Sequence, residues 1–354
     1  MDQIIKDDKQ LSSHEEVMDY LVVLSDKKTD WTKPLWEFRV IENYKENASL
    51  ILYKFHHCFM DGIGFASLLS CINDDQFTSK LNKRFEQPSI ITKLKAAYNG
   101  VKLLVNTLSS ASVSITDENA IKIVETTRED RYPNRFYTSK EYDYSKIMKC
   151  YKQYPNMTFN DFAISILGKS YHQLYKEYEI KDANQLGIFI LINMRPLPTK
   201  YEEVCLDNFF ITCPLGMPLL DDINANYQLV KPSIDIFKTQ EVSYTCYYFF
   251  NLAVACLPKE LCLKIFTDHP TLAHIYVSNV PISDVPIKMN GKEIKTITMN
   301  NTNFHGFGSG IIFYTYNGKV RFGMQNVNNL KYDSSKLLQN ILTNIDEEIS
   351  KVAK

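Results

Sequence analysis

The apolar run at residues 50–55, LILYKF, reads as a buried strand, and the pattern then changes, because Phe65, Leu68, Leu69 and Ile72 recur at helical spacing. A strand followed by a helix is predicted, which makes the intervening HHCFMDG a strand-to-helix junction. Alternation puts Ile51, Tyr53, Phe55 and His57 on one face of the strand and Leu52, Lys54 and His56 on the other. Only one of the two adjacent histidines can therefore point into a given cleft. Residues 91–108 predict an amphipathic helix, with Ile91, Leu94, Tyr98, Val101, Val105 and Leu108 on one face and Lys95, Asn99, Lys102 and Asn106 opposite.

Residues 111–131, rich in Ser, Thr, Asp and Glu, break the periodicity. They divide the chain into an N-terminal subdomain (1–115), a linker (116–130) and a C-terminal subdomain (131–354). After NRFYT, a strand-like segment, Phe159, Phe162, Ala163, Ile166, Leu167 and Leu174 predict a helix, and GIFILINM and NFFITCPLGM are apolar runs of strand length. IKMNGKEI and FYTYNGKVRF each place Asn-Gly between strand-like arms, a hairpin signal. The chain closes on an amphipathic helix through Leu338, Ile341, Ile345 and Ile349. The expected class is α/β with mixed sheets in two subdomains.

Composition narrows the function classes. The 354 residues are 45% hydrophobic and 23% charged, enough to bury a large core. Forty Lys and Arg against 41 Asp and Glu leave a net charge of −1, so no overall field favours nucleic acid. The eight cysteines never form a C-x-x-C, and most sit among apolar neighbours, where they are expected to be reduced and buried. The polar, acidic N-terminus lacks the pattern of a secretory signal, and the most apolar window, around Tyr247 to Pro258, is too short to span a bilayer. A protein on the cytoplasmic side, not secreted, is expected.

His56-His57-Cys58-Phe59-Met60-Asp61-Gly62 is the most informative segment for chemistry. A neutral imidazole at a strand end can accept a proton near pH 7, as acyl transfer to an alcohol requires, and Gly62 lets the backbone turn behind it. A purely structural reading is also open: the histidines satisfied by backbone carbonyls, and Asp61 serving as N-cap of the helix beginning at Gly62. HHxxxDG lacks the spacing of HExxH and has no third ligand nearby, so no metal is expected. Thr158-x-x-Asp161 fits a capping box. Asn160 and Asn279 suit hydrogen bonding in a cleft, Trp36 suits a core anchor, and a buried Arg195 requires a carboxylate.

HHCFMDGIGFASLL resembles the HHxxxDG signature of the CoA-dependent acyltransferase superfamily. KPLWEFRVIEN, with Pro34, Leu35, Trp36 and Glu37, resembles the PLWE stretch of the wax ester synthase/diacylglycerol acyltransferase family. TFNDFAISILG, with Asn160 and Asp161, resembles that family's ND segment, and YVSNVPISDVP, with Ser278 to Pro281, resembles its SNVPGP segment. NMRPLP, LDNFFITCPLGMPL and YTYNGKVRFGM follow in family order. Two departures stand out: Ile282 and Ser283 replace the usual Gly-Pro, and Pro34 follows only 33 residues, so the N-terminal half looks short.

This resemblance implies a two-subdomain acyltransferase-like fold with an active-site tunnel between the halves. The implied activity is transfer of a fatty acyl group from acyl-CoA to a lipid alcohol, a long-chain alcohol or diacylglycerol, giving wax ester or triacylglycerol. His57 is the implied base, with His56, Asp61 and Gly62 completing the motif. Asn160, Ser278 and Asn279 are implied substrate contacts, Trp36, Asp161 and Arg195 are structural supports, and resemblance to related folds makes Asp61 the candidate partner of Arg195. Acyl-CoA is a substrate, and no cofactor is implied. The alternative is a non-catalytic scaffold or assembly subunit. With Lys93, residues 91–108 hold three cations and no acid, suiting an anionic membrane or lipid-droplet surface, although a helix packed on its own domain fits the same pattern. The short N-terminal half predicts an exposed sheet edge, covered by an oligomer or a larger assembly.

Overall fold

The chain begins with β1 (Ile4–Lys6) and α1 (His14–Ser25), followed by β2 (Trp36–Lys45) and β3 (Ala48–Phe55). This is a computed structural model, and it describes residues 3–45, 48–75, 88–109, 116–124, 134–195, 198–262, 273–302, 307–327 and 330–353. β1 runs parallel to β2 and β2 antiparallel to β3, with Trp36 opposite Phe55. The predicted alternation is realised in two contrasting faces. Leu52 joins Val17, Met18 and Leu24 of α1 in a small core, and Lys54 Nζ donates to the Leu24 carbonyl at 2.6 Å. On the other face Tyr53 stacks on Phe38, with ring centroids 4.2 Å apart, and packs near Phe55 and Phe65. Trp36, expected as a core anchor, is only half-buried, edge-on to Phe38.

α2 (Gly62–Cys71) and α3 (Ile90–Ser109) follow. Residues 116–124, assigned from sequence to a linker over 116–130, instead belong to the C-terminal core. They form a turn and α4 (Glu118–Val124), whose Ala120 and Ile123 are buried. Thr116 Oγ1 accepts from Gly187 N at 3.0 Å, and the Ala120 carbonyl accepts from Tyr175 Oη at 2.8 Å. The polar run that suggested a linker is a helix start: Asp117 Oδ1 accepts from Asn119 N at 2.9 Å. Residues 125–133 of the linker region lie outside the described residues.

The second half contains β4 (Asn134–Thr138), β5 (Tyr142–Asp143), α5 (Tyr144–Lys152), α6 (Phe159–Glu177), β6 (Gln185–Asn193), β7 (Phe210–Pro218), α7 (Ile223–Phe237) and α8 (Gln240–Cys256). It continues through β8 (Ile275–Ser283), the hairpin β9 (Lys288–Met289) and β10 (Lys292–Glu293), then β11 (Ser309–Tyr316), β12 (Lys319–Val327) and α9 (Ser334–Val352). A seven-stranded mixed sheet has the order β4, β12, β11, β8, β6, β7, with β5 also paired to β12. α6 packs between the sheet and α9, burying one face in the main core. α2 covers the other face, where Leu69 meets Val280, Ile282 and Ile312. Both predicted Asn-Gly turns form hairpins with left-handed central residues, Asn290 and Gly291 (φ 50° and 73°) and Asn317 and Gly318 (φ 49° and 69°).

β8 is parallel to both neighbours. Its pairing with β6 covers Ile188 to Ile190 against Ile275 to Val277, while β8 stays paired to β11 as far as Ser283. Beyond Ile190 and Val277 the pairing between the two parallel strands ends, while β6 stays paired to β7 as far as Asn193. The C-terminal ends of parallel strands are where ligands bind in open α/β sheets.

Candidate active site

The loop from His56 to Asp61 lies over this end of the sheet because α2 packs on β8. The approach is close: a Cβ on Gly62 would stand 2.7 Å from Val280 Cγ2. Gly62 was expected to permit a sharp turn, yet its φ is not in the left-handed region, so the missing side chain serves close packing instead. The strand ends at Phe55, so the two histidines stand in the turn beyond it rather than on alternating strand faces, and they have different neighbours. His56 N donates to the Leu35 carbonyl at 2.8 Å, its Nδ1 accepts from Cys58 N at 3.2 Å, and its ring lies 5.0 Å from Trp31. His57 turns the other way, its ring 6.0 Å from Phe210 at the start of β7. His56, placed by the resemblance in the catalytic motif, thus shapes the turn rather than sharing the ring environment of His57.

Burial lowers the His57 pKa below its ordinary value near 6.5. Hydrogen bonding with its own backbone, the charge of Asp61 and hydrogen bonding with Asn208 act in the opposite direction without cancelling the burial. The imidazole is therefore neutral at pH 7 and able to accept a proton.

Asp61 is buried and both its oxygens are engaged. Oδ1 accepts from Gly64 N at 2.8 Å, capping α2, and Oδ2 accepts from Phe209 N at 2.9 Å and from Arg195 Nη2. Arg195, itself buried, also donates from Nη1 to the Cys205 carbonyl at 2.6 Å and from Nη2 to the Asp207 carbonyl. The carboxylate that Arg195 required is Asp61, 134 residues away in sequence. Removing either partner of such a buried pair strands the other and costs roughly 3–5 kcal/mol. With three donors on its two oxygens, one of them a guanidinium, Asp61 is used as a clamp rather than as a base.

Asn279 Nδ2 donates to Asn160 Oδ1 at 2.8 Å, bringing two candidate residues together from β8 and the first turn of α6. Ser278, grouped with them in the sequence analysis, points the other way. It shares the face of Tyr276 and Val280, toward α2, whereas Asn279 shares that of Ile275 and Val277, toward α6. Asp161 forms the capping box with Thr158, accepting from its N at 2.9 Å and its Oγ1 at 2.7 Å. Of the cysteines, Cys150 and Cys213 are buried, while Cys58, Cys205 and Cys256 are exposed, against the expectation of general burial. Among the described residues no group of His, Cys, Asp and Glu is placed to hold a metal ion.

From sequence, residues 206–210 open LDNFFITCPLGMPL, a segment in family order whose NFFITCPLGM is an apolar run of strand length, and neither these nor Cys205 are site candidates. In the structure they wrap the histidine loop: Cys205 and Asp207 bind Arg195, Asn208 Nδ2 donates to the His57 carbonyl at 2.7 Å, Phe209 binds Asp61, and Phe210 faces His57. No local pattern could have revealed the contacts to His57 and Asp61, which span about 150 residues of sequence.

The model of the wax ester synthase/diacylglycerol acyltransferase catalytic domain matches residues 12–141, and that of the WS/DGAT C-terminal domain matches residues 209–348. The chain belongs to this family. The clamp joins its two parts, with Asp61 in the catalytic-domain match and Phe209 at the start of the C-terminal one. A Mycobacterium tuberculosis protein named as a probable diacylglycerol O-acyltransferase is 31% identical over 81 residues, 22% of this chain and 18% of its own length. The O-acyltransferase WSD of Acinetobacter baylyi is 20% identical over 346 residues, 90% of this chain and 73% of its own. The fold is similar to that of the wax ester synthase/diacylglycerol acyltransferase of Marinobacter aquaeolei VT8, at TM-score 0.63 and 14% identity, covering 100% of this chain and 80% of that one. It is also similar to the epimerization domain of tyrocidine synthetase B, at TM-score 0.55 and 13% identity, covering 99% and 80%.

Proposed function

We propose that this WS/DGAT family member is an acyl-CoA-dependent O-acyltransferase acting on a lipid alcohol, with His57 as the general base. The observation that carries this reading is a half-buried imidazole with a lowered pKa, beside a clamped Asp61–Arg195 pair at the C-terminal end of the paired β6 and β8. His57 takes the proton of the acceptor hydroxyl, and the oxygen attacks the thioester carbonyl carbon. The tetrahedral adduct collapses as the C–S bond breaks, and the leaving CoA sulfur takes the proton from the imidazolium. Ester and free CoA leave, and the base is restored. Amide N–H groups of the Asn160–Asn279 pair are the donors proposed for the oxyanion.

Long-chain acceptors and products dissolve poorly in water, and a surface to exchange them is at hand. α3 packs on α8 through Ala96 and Gly100, and turns Ile91, Leu94, Tyr98 and Val101 outward. Among the described residues no helix is long and apolar enough to cross a membrane. We assign α3 as the part of the molecule that rests on an anionic lipid surface, a membrane or a droplet.

Incubation with radiolabelled acyl-CoA and a panel of lipid alcohols tests the reaction. The expected result is labelled ester, with His57→Ala lowering kcat by about 10²–10⁴. Because burial lowers the His57 pKa, kcat/KM should hold at neutral pH and fall only as pH drops below about 6.5. No ester from any alcohol, or an undiminished rate in His57→Ala, overturns the reading.

A further inference from the structure

The clamp on Asp61 and the hold on His57 are separate devices in one segment. Four contacts from residues 205–209 serve the carboxylate side: the carbonyls of Cys205 and Asp207 receive Arg195, Phe209 N reaches Asp61, and the Leu206 backbone lies against Gly64. Asn208 does something else. Its Nδ2 donates to the His57 carbonyl at 2.7 Å, fixing the peptide plane that follows the histidine. The orientation of that plane and the direction of the His57 Cα–Cβ bond are coupled through the backbone torsions of one residue. On the far side of the imidazole, Phe210 limits the ring to an edge-to-face arrangement. Asn208 is itself exposed, so its side chain contributes little to the core.

We infer that Asn208 is the positioning residue of His57: its side-chain amide holds the His57 backbone so that the imidazole keeps its place against Phe210 at the start of β7. This rests on the reading of His57 as the base, but the geometry stands independently of it. Hydrogen bonding with Asn208 also favours the protonated imidazole, against the dominant effect of burial. Removing the amide should therefore loosen the ring and lower its pKa further. A carboxylate at this position cannot donate to the carbonyl, and it should raise the imidazole pKa by its charge. The two substitutions thus share a loss of alignment and differ in the sign of the pKa change.

The test uses the full-length protein and the variants Asn208→Ala, Asn208→Asp and His57→Ala. Histidine-selective NMR follows the His57 titration, with the His57→Ala spectrum identifying the signal, and an acyl-CoA assay supplies kcat and KM. Asn208→Ala should shift the His57 titration to lower pH and lower kcat about 10–100-fold with KM for acyl-CoA within about twofold, while the melting temperature stays close to that of the parent. Asn208→Asp should lose kcat similarly and shift the titration upward. An unmoved titration in both variants, or a kcat loss that merely tracks lost thermal stability, overturns the inference. The NMR arm decides it even when no ester is formed. An active His57→Ala variant refutes the base assignment instead, so the two failures are distinguishable.

Discussion

Helices α3 and α9 carry the same kind of sequence pattern and use it in opposite ways. In α9 the apolar stripe faces inward, with Leu337 and Ile341 both 0% exposed against α6, and the polar side reaches the protein surface through Lys140–Asp346 at 2.7 Å and Lys169–Glu347 at 2.8 Å. In α3 the stripe faces outward: Ile91 is 68%, Leu94 66% and Tyr98 71% exposed, while Ala96 is 0%. Hydrophobic periodicity identifies an amphipathic helix but does not say which face the protein covers. What distinguishes the two is the face turned to the protein, which in α3 is formed by small residues rather than by the polar set Lys95, Asn99, Lys102 and Asn106 expected from sequence, the two lysines being exposed beside the stripe. α3 has Ala96 and Gly100 one turn apart, and a Cβ on Gly100 would lie 3.0 Å from Tyr248 Cβ and 3.1 Å from Phe249 N of α8. Small residues let α8 come close, and among the described residues the bulky stripe is left uncovered.

The comparison breaks most sharply at matched truncations. Ile341→Ala should destabilise the protein by about 2–5 kcal/mol, since it opens a cavity in the main core. Leu94→Ala, removing a comparable apolar side chain from α3, should change stability by no more than about 0.5 kcal/mol. Denaturant unfolding of the two variants checks this directly, and similar losses would mean that the α3 stripe is covered by the protein after all.

A smaller effect is expected at the small-residue face. Gly100→Leu forces a side chain into the α3–α8 contact and should cost about 1–3 kcal/mol, with proteolysis of α3 as a local readout. Unchanged stability and protease resistance would show that the close approach to α8 does not hold α3 in place.

Much of the fold was legible because it is locally encoded. Asn290-Gly291 and Asn317-Gly318 demand left-handed turns, Asp61 and Thr158 are caps next to their helices, and the stripe of α9 has one apolar side. The site was legible only where a motif concentrates its residues, as in His57 to Gly62. Ser278 and Asn279 are neighbours in sequence, yet strand parity sends them to opposite faces of β8. Asn208 lies in LDNFFITCPLGMPL, a segment noted from sequence for its apolar run and its family order, but its own role gave no signal, because its partner is a backbone carbonyl, which every residue possesses. Residues 116–124 misled for a related reason: Asp, Glu and Asn open helices as readily as they fill loops.

The last difference between the two helices is charge, and it has the smallest expected effect on the fold. α3 carries Lys93, Lys95 and Lys102 with no acidic residue, whereas α9 mixes Asp346, Glu347 and Glu348 with Lys336 and Lys351. Lys95 and Lys102 are both exposed. Lys95→Glu combined with Lys102→Glu should therefore leave stability within about 0.5 kcal/mol of the parent. Near an anionic lipid surface, however, each lysine is worth about 1 kcal/mol, so reversing two should weaken liposome binding by about tenfold or more. Flotation with vesicles containing phosphatidylserine at low salt measures this, and raising the salt should narrow the gap between parent and variant as the charges are screened. Leu94→Ser combined with Tyr98→Ser should reduce flotation at every salt concentration, because the apolar contact is not screened. Equal flotation of parent and both double variants would separate α3 from any lipid surface and leave its outward stripe to a protein partner.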